Sequence, residues 1–113
     1  MSRLALALCL ALAPLSAHAG DWRTGEELLQ SCLQTDGPGG VFCLGYLMGV
    51  AASMVGGPVY GYSACIPPGV TGRDLADVTI GRLVAMPERA KYGAAGVVAH
   101  TFAVKWPCTR ART

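Results

Sequence analysis

VFCLGYLMGVAASMV, residues 41–55, holds no charge, no proline and no polar–apolar alternation. Cys43, Leu47, Val50 and Met54 recur in it at steps of three and four. That is the period of a helix with one face turned to a core. On the opposite side Gly45, Gly49 and Ser53 follow one another four apart, a row of small residues that lets another backbone come close. A helix here, with no strand-like alternation elsewhere in the chain, makes the expected fold all-α.

The stretch also raises the question of a membrane. Residues 41–72 carry no charged side chain, and Gly45-xxx-Gly49 is a spacing used where membrane helices associate. The helix-compatible part stops at Gly56-Gly57-Pro58, after about fifteen residues, short of the ~20 that a span requires. A core helix is the expectation.

Working outward, the Gly37-Pro38-Gly39-Gly40 segment reads as punctuation between this helix and an earlier one. The earlier helix opens with Thr24-Gly25-Glu26-Glu27, where Thr24 caps and Glu27 reaches back, and it carries Leu28, Leu29, Cys32 and Leu33. On the other side lies an uncharged loop with Pro58, Tyr60 and Tyr62, then Cys65 and a rigid Pro67-Pro68-Gly69 turn. Thr71 to Asp74 is a second box-like start. The helix it opens turns Leu75, Ala76, Thr79, Ile80 and Leu83 inward and is limited by Pro87. A last helix, from about Ala94 to Trp106, has Ala95, Val98, Ala99, Phe102 and Trp106 on one side. Val97 and Val104 lie on another, so this helix is expected between neighbours or at a subunit contact. The sum is a small bundle of about four to five helices.

The N-terminus reads as an export signal. Arg3 precedes an apolar run from Leu4 to Leu15, and Ala17-His18-Ala19 supplies small residues before Gly20. Residues 1–19 are therefore expected to be a cleavable signal peptide, and residues 20–113 a single domain. Of nine Lys and Arg and seven Asp and Glu, only Arg3 leaves with the signal. The near-balance of charge argues against nucleic acid or an anionic membrane surface as partner.

Cys9 also leaves, and Cys32, Cys43, Cys65 and Cys108 remain. An even number in a small exported domain reads as two disulfides. No C-x-x-C pair exists and His100 is the one histidine after Gly20, which is poor spacing for zinc. Cys32 and Cys43 bracket one Gly-rich turn, so their pairing staples a helix hairpin. Cys65–Cys108 then ties the central loop to the chain end. In the chain-entropy model these closures stabilise by about 3 and about 4 kcal/mol. The crossed pairings stay open at this level.

Groups for catalysis are scarce. His100 has no nucleophile beside it in sequence and reads as a partly exposed surface histidine. Asp74 and Asp77 share a helix face, but Asp74 is placed to serve the helix start and Asp77 to face solvent. No glycine-rich phosphate loop matches. No catalytic, cofactor-binding or metal residue is assigned, and the expectation is a protein that is not an enzyme. Pro58, Tyr60 and Tyr62 form a candidate partner-contact loop, because tyrosines anchor interfaces at low entropic cost.

Three local patterns together resemble the Rap/Tai family of immunity proteins. Cys43-Leu44-Gly45-Tyr46-Leu47-Met48-Gly49-Val50 is similar to that family's C-x-G-Y-[IL]-x-G-V helix. Cys65-Ile66-Pro67-Pro68-Gly69-Val70-Thr71 resembles its C-x-P-x-G-V turn, and Trp106-Pro107-Cys108 its close. Cys32 and Pro87 also fall where the family places such residues. The chain departs from the pattern at Ala51-Ala52-Ser53, where the family often carries an acid. The resemblance implies a periplasmic, all-helical, disulfide-containing homodimer. Its implied role is to block a peptidoglycan-amidase effector of type VI secretion by occluding the active-site groove, without catalysis or cofactor. A second reading of the same features is a periplasmic stress or chaperone-like protein with no amidase partner, which exposes apolar surface on acidification.

Overall fold

Thr24 sits in extended geometry and its Oγ1 accepts a hydrogen bond from the Glu27 amide at 3.2 Å, which starts α1, Gly25–Cys32. The Glu27 carboxylate takes the Thr24 hydroxyl at 3.3 Å. The Thr24 stretch pairs with a second chain segment: Gly25 N–H donates to the Tyr92 carbonyl at 2.9 Å and Ala94 N–H to the Arg23 carbonyl at 2.8 Å. The starts of the first and last helices are thus bridged at Thr24 and Gly93. This computed structural model describes residues 23–109. The signal peptide read at residues 1–19 and the new terminus at Gly20 lie outside the described residues.

The second helix, α2, spans Gly37–Gly56, twenty residues. It is longer than the fifteen read from the sequence, because Gly37-Pro38-Gly39-Gly40 forms its first turn instead of a linker. A proline at the first helical positions lacks only an N–H that has no partner there anyway. By length and composition, at mean hydropathy 1.6, α2 is the one described helix that could cross a membrane. One flank, however, is core: Gly40, Cys43, Leu47, Val50 and Met54 are buried. The rest is open, and only 22% of its apolar window is buried. The expected core helix is a core helix on one side alone.

Thr71 and Asp74 form a reciprocal capping box at the start of α3, Gly72–Ala85. Asp74 N–H donates to Thr71 Oγ1 at 3.1 Å and Thr71 N–H to Asp74 Oδ2 at 2.8 Å. Leu75, Ala76, Thr79 and Leu83 are buried, and the Thr79 hydroxyl is satisfied by the Leu75 carbonyl at 2.8 Å. Pro87 ends the helix and opens a 3₁₀ turn, Pro87–Lys91. The fourth helix, α4, is Ala94–Lys105.

Four α-helices and the 3₁₀ turn thus make an all-α domain among the described residues. Its main core joins Leu28, Leu47, Met54, Leu75, Val98 and Phe102. Fully buried Leu28, Leu47 and Phe102 contribute about 1.5–3 kcal/mol each. A smaller cluster of Leu83, Ala90 and Val97 closes the far side of α4. Val97, on the second apolar side of α4, was expected between neighbours or at a subunit contact, and the first of these holds. It is buried within the chain because the 3₁₀ turn, invisible to periodicity, brings Ala90 against it.

Both disulfides follow the pairing read from the sequence. Cys32–Cys43 joins the end of α1 to α2, and Cys65–Cys108 joins the central loop to the chain end. The second is reinforced by Cys65 N–H donating to the Trp106 carbonyl at 2.8 Å.

Candidate functional site

The central loop turns back on itself over two residues. Val59 and Tyr62 exchange backbone hydrogen bonds at 3.0 and 2.9 Å, and Tyr60 and Gly61 between them both have positive φ, 49° and 79°. Such a turn favours Asn-Gly, and a bulky aromatic there stores local strain. Tyr60 is the one non-glycine residue of the described chain with positive φ. Its side chain is 63% exposed at the tip of the turn, with Tyr62 beside it and Pro58 also exposed. The three loop residues picked from the sequence therefore stand together on one preformed projection.

The projection is held against α4. The Tyr62 ring meets the His100 imidazole edge-on, centroids 4.9 Å apart. Tyr60 lies over Gly96, where an added Cβ would touch its ring at 3.8 Å. Tyr60, Tyr62, Tyr92, Arg89 and His100 surround an open cleft of about 340 Å³ floored by Gly96. Arg82 Nη2 from α3 and Arg89 Nη1 from the 3₁₀ turn each lie 3.5 Å from His100 Nδ1. Burial, then Arg89 and then Arg82 lower the His100 pKa below the ordinary 6.5. A neutral imidazole with its proton on Nε2 would accept from either arginine at Nδ1.

Sequence reasoning named His100 but could not bring it to Tyr62, and it missed Arg82, Arg89 and Tyr92. Those three come from separate elements, and no spacing rule connects them.

The small-residue row of α2 lies elsewhere. Gly45, Gly49 and Ser53 are exposed, and a Cβ added at either glycine would meet nothing within 4 Å among the described residues. Among the described residues the row therefore packs no helix. The Ser53 hydroxyl turns back on its own helix, donating to the Gly49 carbonyl at 2.9 Å. Alongside run Val41, Met48 and Val55, which are 72%, 54% and 87% exposed.

Asp74 is committed to the α3 cap and Asp77 is exposed, as read from the sequence. Among the described residues, no three His, Cys, Asp or Glu side chains gather where they could hold a metal ion. A wider groove of about 540 Å³ runs between the end of α2 and residues 63–66, beside Cys108.

From the cap of α1 to the last cysteine, residues 24–108, the chain matches the model of a protein family described as Rap1a immunity proteins. No curated protein and no solved structure matches it.

Proposed function

From the premise that this chain belongs to the Rap1a immunity protein family, we propose that it is a periplasmic, non-catalytic inhibitor of a peptidoglycan amidase delivered by type VI secretion. The family implies an immunity protein for a secreted effector, and its disulfides are those of an exported chain. The match over residues 24–108 carries the reading. The signal-like segment at residues 1–19 supports delivery to the periplasm.

The Tyr60 turn supports a location for the contact. Its backbone is set by two cross-turn hydrogen bonds, so little entropy remains to be lost when the tyrosines enter a groove. Blocking by such a projection needs no chemistry from the inhibitor. The open flank of α2 supports a second contact, with another copy of the chain. It carries no charge that would select a different partner, and its small residues permit close approach of a second helix.

The test is recovery of the tagged chain from the periplasm of cells producing their secretion toxins. A cell-wall hydrolase should co-purify in stoichiometric amount, and its amidase activity should fall to background at one equivalent of inhibitor. An empty column, together with an amidase unaffected by excess protein, would overturn the proposal. Replacing Gly45 by Leu should shift the protein from dimer to monomer in light scattering, and a wild-type monomer at working concentration would dismiss the second contact.

A further inference from the structure

Two basic groups beside the Tyr60 turn converge on one nitrogen of His100. Two guanidinium nitrogens within 3.5 Å of one atom are at most about 7 Å from each other. The titratable and charged groups lining the cleft are Arg89 from the 3₁₀ turn, Tyr60 and Tyr62 from the loop, Tyr92 before α4, and His100 itself. Arg82 from α3 lines a neighbouring groove with Lys105 and reaches the site through His100 Nδ1. The described residues place no carboxylate within ion-pairing reach of either arginine. Arg82 Nε is buried and makes no hydrogen bond among the described residues. What both guanidiniums have found is one neutral imidazole nitrogen, which satisfies a donor but neutralises no charge. Two cations gathered at one imidazole, with no carboxylate paired to them among the described residues, leave the strongest available interaction, a charge-assisted hydrogen bond, to a ligand.

We propose that the Arg89–His100 cleft, with Arg82 against the same imidazole nitrogen, is a receptor for a single carboxylate. The guanidinium fork matches the planar, two-oxygen geometry of a carboxylate. The remaining walls are aromatic rings above a glycine floor, which suit the short aliphatic stem of an acidic side chain. A phosphate dianion would bring a second charge and a tighter hydration shell into the same half-apolar walls, at greater desolvation cost. The carboxylate forms no covalent bond. It accepts N–H bonds from one or both arginines and offsets one of their two charges.

The site can be tested without any toxin, so its failure and that of the immunity reading are separable. With residues 1–19 removed by export, His100 is the sole histidine, and its imidazole can be followed by NMR in protein recovered from the periplasm. Sodium acetate should raise the His100 pKa saturably by about half a unit or more, because a bound anion offsets the two guanidiniums. Sodium chloride at equal ionic strength should give only a smaller, non-saturating change. Arg89→Gln should remove the saturable part while circular dichroism stays unchanged. Arg89→Lys, which keeps the charge and loses the fork, should weaken it several-fold. A capped peptide with one glutamate separates the two sources: binding at least tenfold tighter than acetate places the carboxylate on a polypeptide, and equal binding places it on a free small acid. Identical curves in acetate and chloride, or saturable binding retained in Arg89→Gln, would overturn the site. Inorganic phosphate saturating at lower concentration than acetate would overturn the carboxylate assignment.

Discussion

At the scale of single residues, Tyr60 carries a conflict between local stability and the proposed contact. A tyrosine at φ 49° is held where asparagine or glycine would sit with less strain. Tyr60→Asn should therefore stabilise the protein by about 1 kcal/mol in urea unfolding. The same variant should lose affinity for the toxin, with the cost concentrated in its dissociation rate. A variant neither more stable nor weaker in binding would show that the loop tip is bland surface. His100 gives a second test at this scale. Its pKa is lowered in the fold by burial, Arg89 and Arg82, so the unfolded chain binds the proton more readily. The contribution is complete above the ordinary value of 6.5 and is lost as pH falls through the window beneath it. Urea midpoints between pH 7.5 and 5 should fall in the wild type, and less steeply in His100→Gln.

At the scale of elements, the helix starts set the frame. Thr71 and Asp74 satisfy each other's backbone donors, and Thr71→Ala should cost about 1 kcal/mol by loss of the cap. The Asp74 pKa is lowered by the Thr71 backbone N–H and then by the Thr71 side chain. Its support is present above the unfolded value of 3.8 and disappears as pH falls through the lower folded value. The acid limb of unfolding should accordingly shallow in Asp74→Asn. The hairpin of α1 and α2 depends instead on a missing side chain. A Cβ at Gly40 would lie 2.6 Å from the Gln34 carbonyl oxygen, a backbone atom inside a disulfide-closed turn. Alanine favours helix by about 1 kcal/mol over glycine, but the overlap should outweigh it. Gly40→Ala should be destabilising by about 1–3 kcal/mol, and thermal unfolding checks the sign. These starts were legible as Thr-x-x-Glu and Thr-x-x-Asp in the sequence. The α2 start was not, because Gly-Pro-Gly-Gly signals a turn locally and becomes helix only when stapled to α1.

For the whole molecule, the two disulfides differ in surroundings more than in loop length. Closing the longer loop favours Cys65–Cys108 by roughly 1 kcal/mol in the chain-entropy model. Cys32 and Cys43, however, are 4% and 2% exposed and belong to the main core, while Cys65 and Cys108 are exposed. Replacing both buried cysteines by alanine removes core volume as well as the link, at about 1 kcal/mol or more per site. The double variant at 32 and 43 should therefore be at least as damaging as that at 65 and 108. Under mild reductant, the exposed bridge should open first, read as alkylation of Cys65 and Cys108 by mass spectrometry. Early labelling of Cys32 would contradict the burial order.

The sequence by itself determined what depends on neighbours along the chain. Helix periodicity from Cys43 to Met54, the caps at Thr24 and Thr71, the stop at Pro87 and the cysteine count are all local or compositional. Together they established an all-α, doubly cross-linked bundle. Tertiary structure decided what depends on elements meeting. It turned the Gly45–Gly49–Ser53 row outward, buried Val97 against a 3₁₀ turn that has no periodic signature, and brought Arg82, Arg89 and Tyr62 to His100. The physical reason is the same in each case. Burial and charge are properties of the space between elements, and a helical repeat specifies which residues share a face but not which neighbour, if any, that face meets.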